Sequence, residues 1–467
     1  MATGDEEEFS RGGILTEAPD RKSGEVLRPS PVDGSLEGAE TRAPAHQDHT
    51  TTIRAGLAAG LVGQGAWLFL TIVNTVLIVR LLGQQVGVYY LFTTTSSLLG
   101  FLMDPLGLKW SSTYLIGQRP GRARHLLGAT ILACAACGLV VLVLGPRAAH
   151  LIAMFGSAPD ATNILAPYIG LLALATSFNL LYLVTNAIIL GNQKFAVYNL
   201  QQVVSAGLVT IGLLGICLRH TSVSPRRIIL LWIASLSIAA LTGLISVLGR
   251  IRGRPSEPLA LAELAPGVRA YAINTLSFLH QRVDYYMVSW LLGASSLGVY
   301  GTAVTMAEAM GRISAIVGPV VYSKSSGERR HELAPRIPIL LSLVASSTLA
   351  LGLLFALAGR AFIPIILGHD FSGAFVPTLV LVPGVVFMGM TSVLNNFMGG
   401  KGYPPILFAA NLAALIVNVI LNSFLISKLG IAGAALSSSV SYLCWFAALR
   451  VVYRRYLRNS QASPSAL

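Results

Sequence analysis

Charge is scarce in this chain. Of 467 residues only 11% are Asp, Glu, Lys or Arg, while 54% are hydrophobic. Soluble domains carry about 25% charged residues, so a globule built from this composition would lack the polar surface to cover itself. A mean hydropathy of +0.68 points the same way. Cysteine is scarce too. Cys134, Cys137, Cys217 and Cys444 all fall within apolar stretches, where a thiol acts as a small hydrophobe and a Cys-x-x-Cys in lipid offers a metal no route in. Also missing are a Gly-x-x-x-x-Gly-Lys-Ser/Thr phosphate loop, a His-Glu-x-x-His motif, an Asp-x-Asp near a membrane edge and a soluble domain. ATP-driven transport, metal-assisted hydrolysis and glycosyl transfer each need such machinery. No cofactor, no resident metal and no enzymatic activity are expected.

What the chain has in abundance is long apolar runs. Twelve of them lie near 56–79, 86–106, 126–144, 163–190, 196–218, 227–248, 271–292, 298–322, 337–358, 374–398, 406–427 and 431–449. At 1.5 Å per residue each spans the ~30 Å hydrocarbon core as a helix. The fold class is therefore an all-α polytopic membrane protein of about twelve transmembrane helices. An even number places both termini on one side of the membrane.

Basic residues decide the side. The loops after helices 2, 4, 6, 8 and 10, with the C-terminal tail, hold 18 Lys and Arg, and the opposite loops hold seven, Arg80 among them. The positive-inside rule puts the richer set, and both termini, in the cytoplasm. Spread over six segments beside lipid headgroups, this charge forms no single patch for nucleic acid, although the formal net charge is +13. The first 50 residues run the other way, with 11 acids, 5 bases and no apolar anchor. Residues 1–53 read as a disordered acidic tail without a signal peptide.

The chain repeats itself. Leu81-Leu82-Gly83 followed by Gly87-Val88-Tyr89 returns as Leu291-Leu292-Gly293 followed by Gly298-Val299-Tyr300, and Gly191–Phe195 has a weaker echo at Gly400–Tyr403. Both offsets are near 210. Six helices per half keep equivalent positions in the same orientation, so the halves are parallel repeats. The expected organisation is an N-terminal six-helix bundle at 54–250, a cytoplasmic linker at 251–270, a C-terminal six-helix bundle at 271–450 and a basic tail at 451–467.

With these motifs, and with helix 2 ending Asp104-Pro105-Leu106-Gly107-Leu108 and helix 7 carrying Gln281-Arg282-Val283-Asp284, the chain resembles Wzx-type polysaccharide flippases. These belong to the multidrug/oligosaccharidyl-lipid/polysaccharide exporter superfamily. The resemblance covers about residues 54–450 and leaves the acidic tail without a counterpart. It implies two six-helix bundles around a central cavity. It also implies export of an undecaprenyl-diphosphate-linked oligosaccharide across the cell inner (cytoplasmic) membrane for surface polysaccharide such as lipopolysaccharide, alongside polysaccharide-assembly membrane proteins.

Polar residues at membrane depth are the candidate site, since each is costly there without a partner or a wet cavity. Gln64, Thr71 and Asn74 share one face of helix 1, and Asn274, Gln281 and Asp284 repeat that spacing on helix 7 at an offset of 210. Each half thus presents a polar face of its first helix, either to a common interior or to a neighbouring helix. Arg282, Glu308 and Arg312 fall near the midplane. One arrangement is mutual neutralisation, with Glu308 pairing Arg312 at i,i+4 and Asp284 pairing a basic neighbour. The other is a guanidinium facing a wet cavity and gripping a diphosphate while a nearby carboxylate exchanges a proton or cation. The substrate-binding candidates are Arg282, Arg312, Gln64, Asn74 and Gln281. The coupling or gating candidates are Asp284, Glu308 and Asp104, the last either a gate contact or a helix end. His280 reads as structural, and Asn179, Asn186, Asn411, Asn418 and Asn422 as interhelical bonds. A cation-coupled exporter of small drugs is the main alternative, although such a site calls for carboxylates with few compensating arginines. A membrane polymerase or ligase would need a larger external loop than the twenty-residue linker, the longest after the tail.

Overall fold

The computed structural model describes residues 49–104, 107–118, 123–155, 164–192, 194–219, 223–249, 264–326, 333–400 and 403–462. The acidic tail through residue 48 and the basic runs at 250–254 and 328–330 lie outside the described residues.

Among the described residues the structure is helical, with no strand. The helices are α1 (His49–Leu82), α2 (Val86–Leu102), α3 (Leu108–Gln118), α4 (Ala123–Phe155), α5 (Ile169–Gly191), α6 (Phe195–Leu218), α7 (Pro225–Leu248), α8 (Ala265–Met310), α9 (Ile313–Ser326), α10 (Ile337–Ile366), α11 (Phe375–Gly399), α12 (Ile406–Leu429) and α13 (Ile431–Ala462). Ten helical segments are long and apolar enough to cross a membrane.

Two of those segments are double. Val62–Leu102 has 41 residues and Gly267–Met310 has 44, about 60 Å of helix each and twice the hydrocarbon thickness. The first breaks at Gly83 (φ +53) and the second at Gly293 (φ +84), the glycines of the two Leu-Leu-Gly motifs. A left-handed backbone is open to glycine at little cost and penalises a β-carbon. In α8 the chain folds back sharply enough for Asp284 to meet Tyr300 and Arg282 to meet Glu308, 26 residues on. Counting each double segment as two crossings gives twelve. We call the two arms of α8 the first and second arms, and the end of the bundle at Gly83 and Gly293 the hairpin end.

The second helix of each half also breaks before its expected end. The expected 86–106 stops at Leu102 and resumes as α3, and the expected 298–322 stops at Met310 and resumes as α9. Lys109, expected in a loop, accordingly sits in the first turn of α3.

Buried clusters fill each half separately. Leu126, Leu180, Val184, Ile188 and Val247 pack in the first, and Ile337, Val344, Leu394, Phe397, Trp445 and Tyr453 in the second. Other clusters cross the seam. At the hairpin end Val79, Leu82 and Val86 pack against Ile363, Leu367 and Phe371, and Leu91 packs against Tyr285, Val288 and Tyr300. A close backbone approach joins the repeat motifs themselves. A β-carbon on Gly87 would lie 1.8 Å from the carbonyl oxygen of Ala294 and 2.9 Å from the amide nitrogen of Gly298. Two parallel repeats thus meet through the same motif, the self-complementary contact of a two-fold interface.

Candidate functional site

The polar residues of α1 turn toward α6. The Gln64 amide donates to Asn199 Oδ1 (2.9 Å) and Gln202 Oε1 (3.4 Å). Buried Asn74 donates to the Ala206 carbonyl (2.9 Å) and accepts from Thr210 (2.7 Å). On α8 the Gln281 amide bonds back to the Ser277 carbonyl one turn earlier (3.1 Å). These amides are satisfied within their own halves.

Arg282 and Glu308 form a forked pair between the two arms of α8, Nη1 to Oε1 at 2.7 Å and Nη2 to Oε2 at 3.1 Å. Two parallel charge-assisted bonds are the strongest geometry available to these groups. Glu308 and Arg312 make no ion pair at bonding distance, because the helix breaks at Gly311, although the Arg312 charge still reaches Glu308.

Arg312 reaches instead across the seam. Its guanidinium carbon lies 5.0 Å from the ring centroid of Trp67 on α1. Its Nε is buried without a hydrogen-bond partner, and among the described residues no carboxylate pairs with it. Trp67 did not stand out in the sequence. Its signal was its place three residues after Gln64 and four before Thr71, on the polar face of helix 1.

Asp284 has no basic partner within ion-pairing distance among the described residues. It accepts from the Tyr285 amide (2.8 Å), the Tyr300 hydroxyl and the Ser438 hydroxyl (3.0 Å). Beyond Ser438 a buried chain continues. Asn418 donates to Ser441 (3.0 Å) and Asn422 donates to Asn418 (2.8 Å). Ser441 gives its own proton to the Ser438 carbonyl, so the His280 Nε2 beside it (3.0 Å) acts as the donor. That tautomer leaves His280 Nδ1 an acceptor, buried and unpartnered like Asn422 Oδ1. Tyr442 and Trp445 pack edge-on against the imidazole.

Asp104 stands in the break between α2 and α3 and caps α3. Its carboxylate accepts the amides of Leu108 (2.6 Å) and Lys109 (3.1 Å), satisfying donors that a helix start leaves open. Burial pushes its pKa up to about 6, against the pull of those two amides and the Lys109 charge. Burial likewise lowers the Lys109 ammonium to about 8. The corresponding break in the second half carries Arg312. One half has an acid spent on its own helix, and the other has a cation at the N-terminus of α9, where the helix dipole also favours an anion.

Three contacts hold the ends of the seam. Arg80 donates to the carbonyls of Ile365 and Ile366 (2.7 Å to the latter) at the last turn of α10. At the opposite end Phe101 stacks on Phe278 at 4.8 Å, and a β-carbon on Gly267 would fall 1.8 Å from Ser111 Oγ.

The sequence matches the family described as "Polysaccharide biosynthesis protein" over residues 77–376. No curated protein matches it. Among solved structures it is similar to the inward closed conformation of the lipid II flippase MurJ, with TM-score 0.64, 15% identity, and 86% of this chain and 87% of that one covered. It is also similar to a point mutant of the Vibrio cholerae MATE transporter VcmN, with TM-score 0.64, 14% identity, and 88% and 99% covered. An outward-facing multidrug resistance MATE transporter of the MOP superfamily gives TM-score 0.67 at 12% identity, with 90% and 98% covered. These likenesses establish the two-lobed, twelve-helix fold.

Proposed function

Because the chain belongs to the polysaccharide biosynthesis protein family and is a membrane transporter, not an enzyme, we propose that it flips an undecaprenyl-diphosphate-linked oligosaccharide across the cytoplasmic membrane. In this reading both termini are cytoplasmic, the hairpin end faces outward, and 54–250 and 271–450 are the rocking bundles. The observation that carries the reading is Arg312, a guanidinium on the seam between the halves that no carboxylate pairs among the described residues.

Magnitudes decide which arginine takes the diphosphate. Separating a half-buried, forked ion pair such as Arg282–Glu308 strands both charges and costs up to about 3 kcal/mol, the lower edge of the range for fully buried pairs. Lifting a guanidinium from an indole face costs about 1–2 kcal/mol. Arg312 is therefore available, and Arg282 with Glu308 ties the arms of α8 together. Gln64, Asn74 and Gln281 support the walls. Asp284 is the coupling group, a buried carboxylate with neutral donors around it that can take up a proton or a cation as the halves rock. The cationic-drug alternative fits this arrangement poorly, since an unpaired arginine repels the cargo.

Reconstitution tests the reading. Vesicles containing the purified protein are expected to translocate a fluorescent undecaprenyl-diphosphate saccharide and not a cationic dye. Dye transport with no movement of the lipid-linked saccharide would establish the alternative instead.

A further inference from the structure

Trp67 and Arg312 belong to different halves, α1 in the first and the α8–α9 break in the second. Trp67 offers the guanidinium a π face at 5.0 Å and no hydrogen bond, while Arg312 Nε stays unpartnered. A cation held this way has its buried Nε–H donor idle. A diphosphate can supply the acceptors that the indole cannot, and a bidentate anion outcompetes a ring face for a guanidinium. We infer that Trp67 is a placeholder for the anionic group of the substrate. It holds Arg312 in position when no substrate is bound and gives it up when a diphosphate arrives. The exchange removes a contact between the halves, so loading loosens the seam at the level of the cargo. This inference rests on the reading that Arg312 binds an anion.

A placeholder has a signature that a supporting residue lacks, because removing a competitor strengthens binding. Equilibrium binding of undecaprenyl diphosphate to the full-length purified protein is the measurement. Trp67→Leu is expected to bind about tenfold tighter than the unaltered protein, Trp67→Phe to fall between them, and Arg312→Ala to lose binding. The tighter complex releases more slowly, so Trp67→Leu also flips more slowly in vesicles. Should Trp67→Leu not yield folded protein, Trp67→Phe carries the test with a gain of about threefold. Inorganic diphosphate is the second probe. It is expected to bind more weakly but with the same rank order, because the charge does the displacing. Unchanged or weaker binding in both Trp67 variants, with Arg312→Ala inactive, would overturn the placeholder and leave the Arg312 reading standing. A Trp67 effect on the lipid with none on inorganic diphosphate would also overturn it. Full binding by Arg312→Ala would remove the reading beneath both.

Discussion

Gly87→Ala probes the contact between the repeat motifs. The added β-carbon would sit 1.8 Å from the Ala294 carbonyl oxygen and 2.8 Å from its carbon, so relief requires a separation of about 1.5 Å. The obstruction is backbone, with no side chain that can swing aside. Overpacking of this kind costs about 1–3 kcal/mol, which shifts a two-state equilibrium away from the sealed arrangement by about 5- to 150-fold. Thr302 reports the change, being fully buried and 3.4 Å from the Tyr90 hydroxyl across the seam. In protein lacking Cys134, Cys137, Cys217 and Cys444, a cysteine introduced as Thr302→Cys is expected to react with maleimide at least about fivefold faster when Gly87→Ala is added. Gly298→Ala, whose β-carbon meets Val86 Cγ1 at 3.0 Å and Gly87 N at 3.2 Å, should act more mildly. Gly65→Ala, with nothing within 4 Å, should not act. Folded Gly87→Ala protein with a protected cysteine at 302 and full transport would refute the seam.

Three further perturbations follow from the same geometry. Arg80→Ala removes two bonds to the last carbonyls of α10. In this exposed setting they are worth about 1 kcal/mol together, so maleimide should reach Thr302→Cys about fivefold faster; no change would mean that the fork is not a latch. For Asp104, whose folded pKa of about 6 exceeds its ordinary 3.8, the folded state holds the proton longer, so its contribution is complete below pH 3.8 and is lost as pH rises through 6. Thermal unfolding of the detergent-solubilised protein should show that slope and Asp104→Asn should lack it, with persistence of the slope in the variant as the contrary result. Asp284→Asn keeps the shape of the Tyr300–Ser438 site while removing the titratable group. Transport should no longer respond to an imposed proton or cation gradient, and an undiminished response would place coupling elsewhere.

Much of this architecture was legible in the sequence for a simple reason: lipid requires each crossing to be a long apolar helix, and length alone then counts crossings. The Leu-Leu-Gly repeat was legible because a reversal between two helices needs a glycine, and Gly83 and Gly293 do adopt positive φ. The end of helix 2 was legible in Asp104-Pro105 and Gly107, to within a few residues; the break at Gly311–Arg312 was not, since an apolar run continues beyond it to Tyr322. Everything depending on helix continuity followed. Glu308 and Arg312 are a good i,i+4 pair on an unbroken helix, and the break gave Glu308 to Arg282 and Arg312 to Trp67. Spacing put Gln64 and Asn74 on one face, but whether that face met a cavity or α6 depended on packing that a single helix does not encode. The asparagines at 418 and 422 could be read as interhelical, and they bond Ser441 and each other; their connection through Ser438 to Asp284 needed the fold.

The account's central claim is that Arg312 binds the anionic group, whereas Arg282 and Glu308 serve each other. Translocation of a fluorescent undecaprenyl-diphosphate saccharide by reconstituted vesicles separates the two roles. Arg282→Gln alone should be impaired, because it strands Glu308, and adding Glu308→Gln should restore much of the rate by removing the unpaired charge. Arg312→Gln should stay near background with or without Glu308→Gln, and Arg312→Lys should recover only in part, since an ammonium cannot fork onto a diphosphate. Restoration of Arg312→Gln by Glu308→Gln, or transport by Arg312→Gln at the unaltered rate, would contradict the claim.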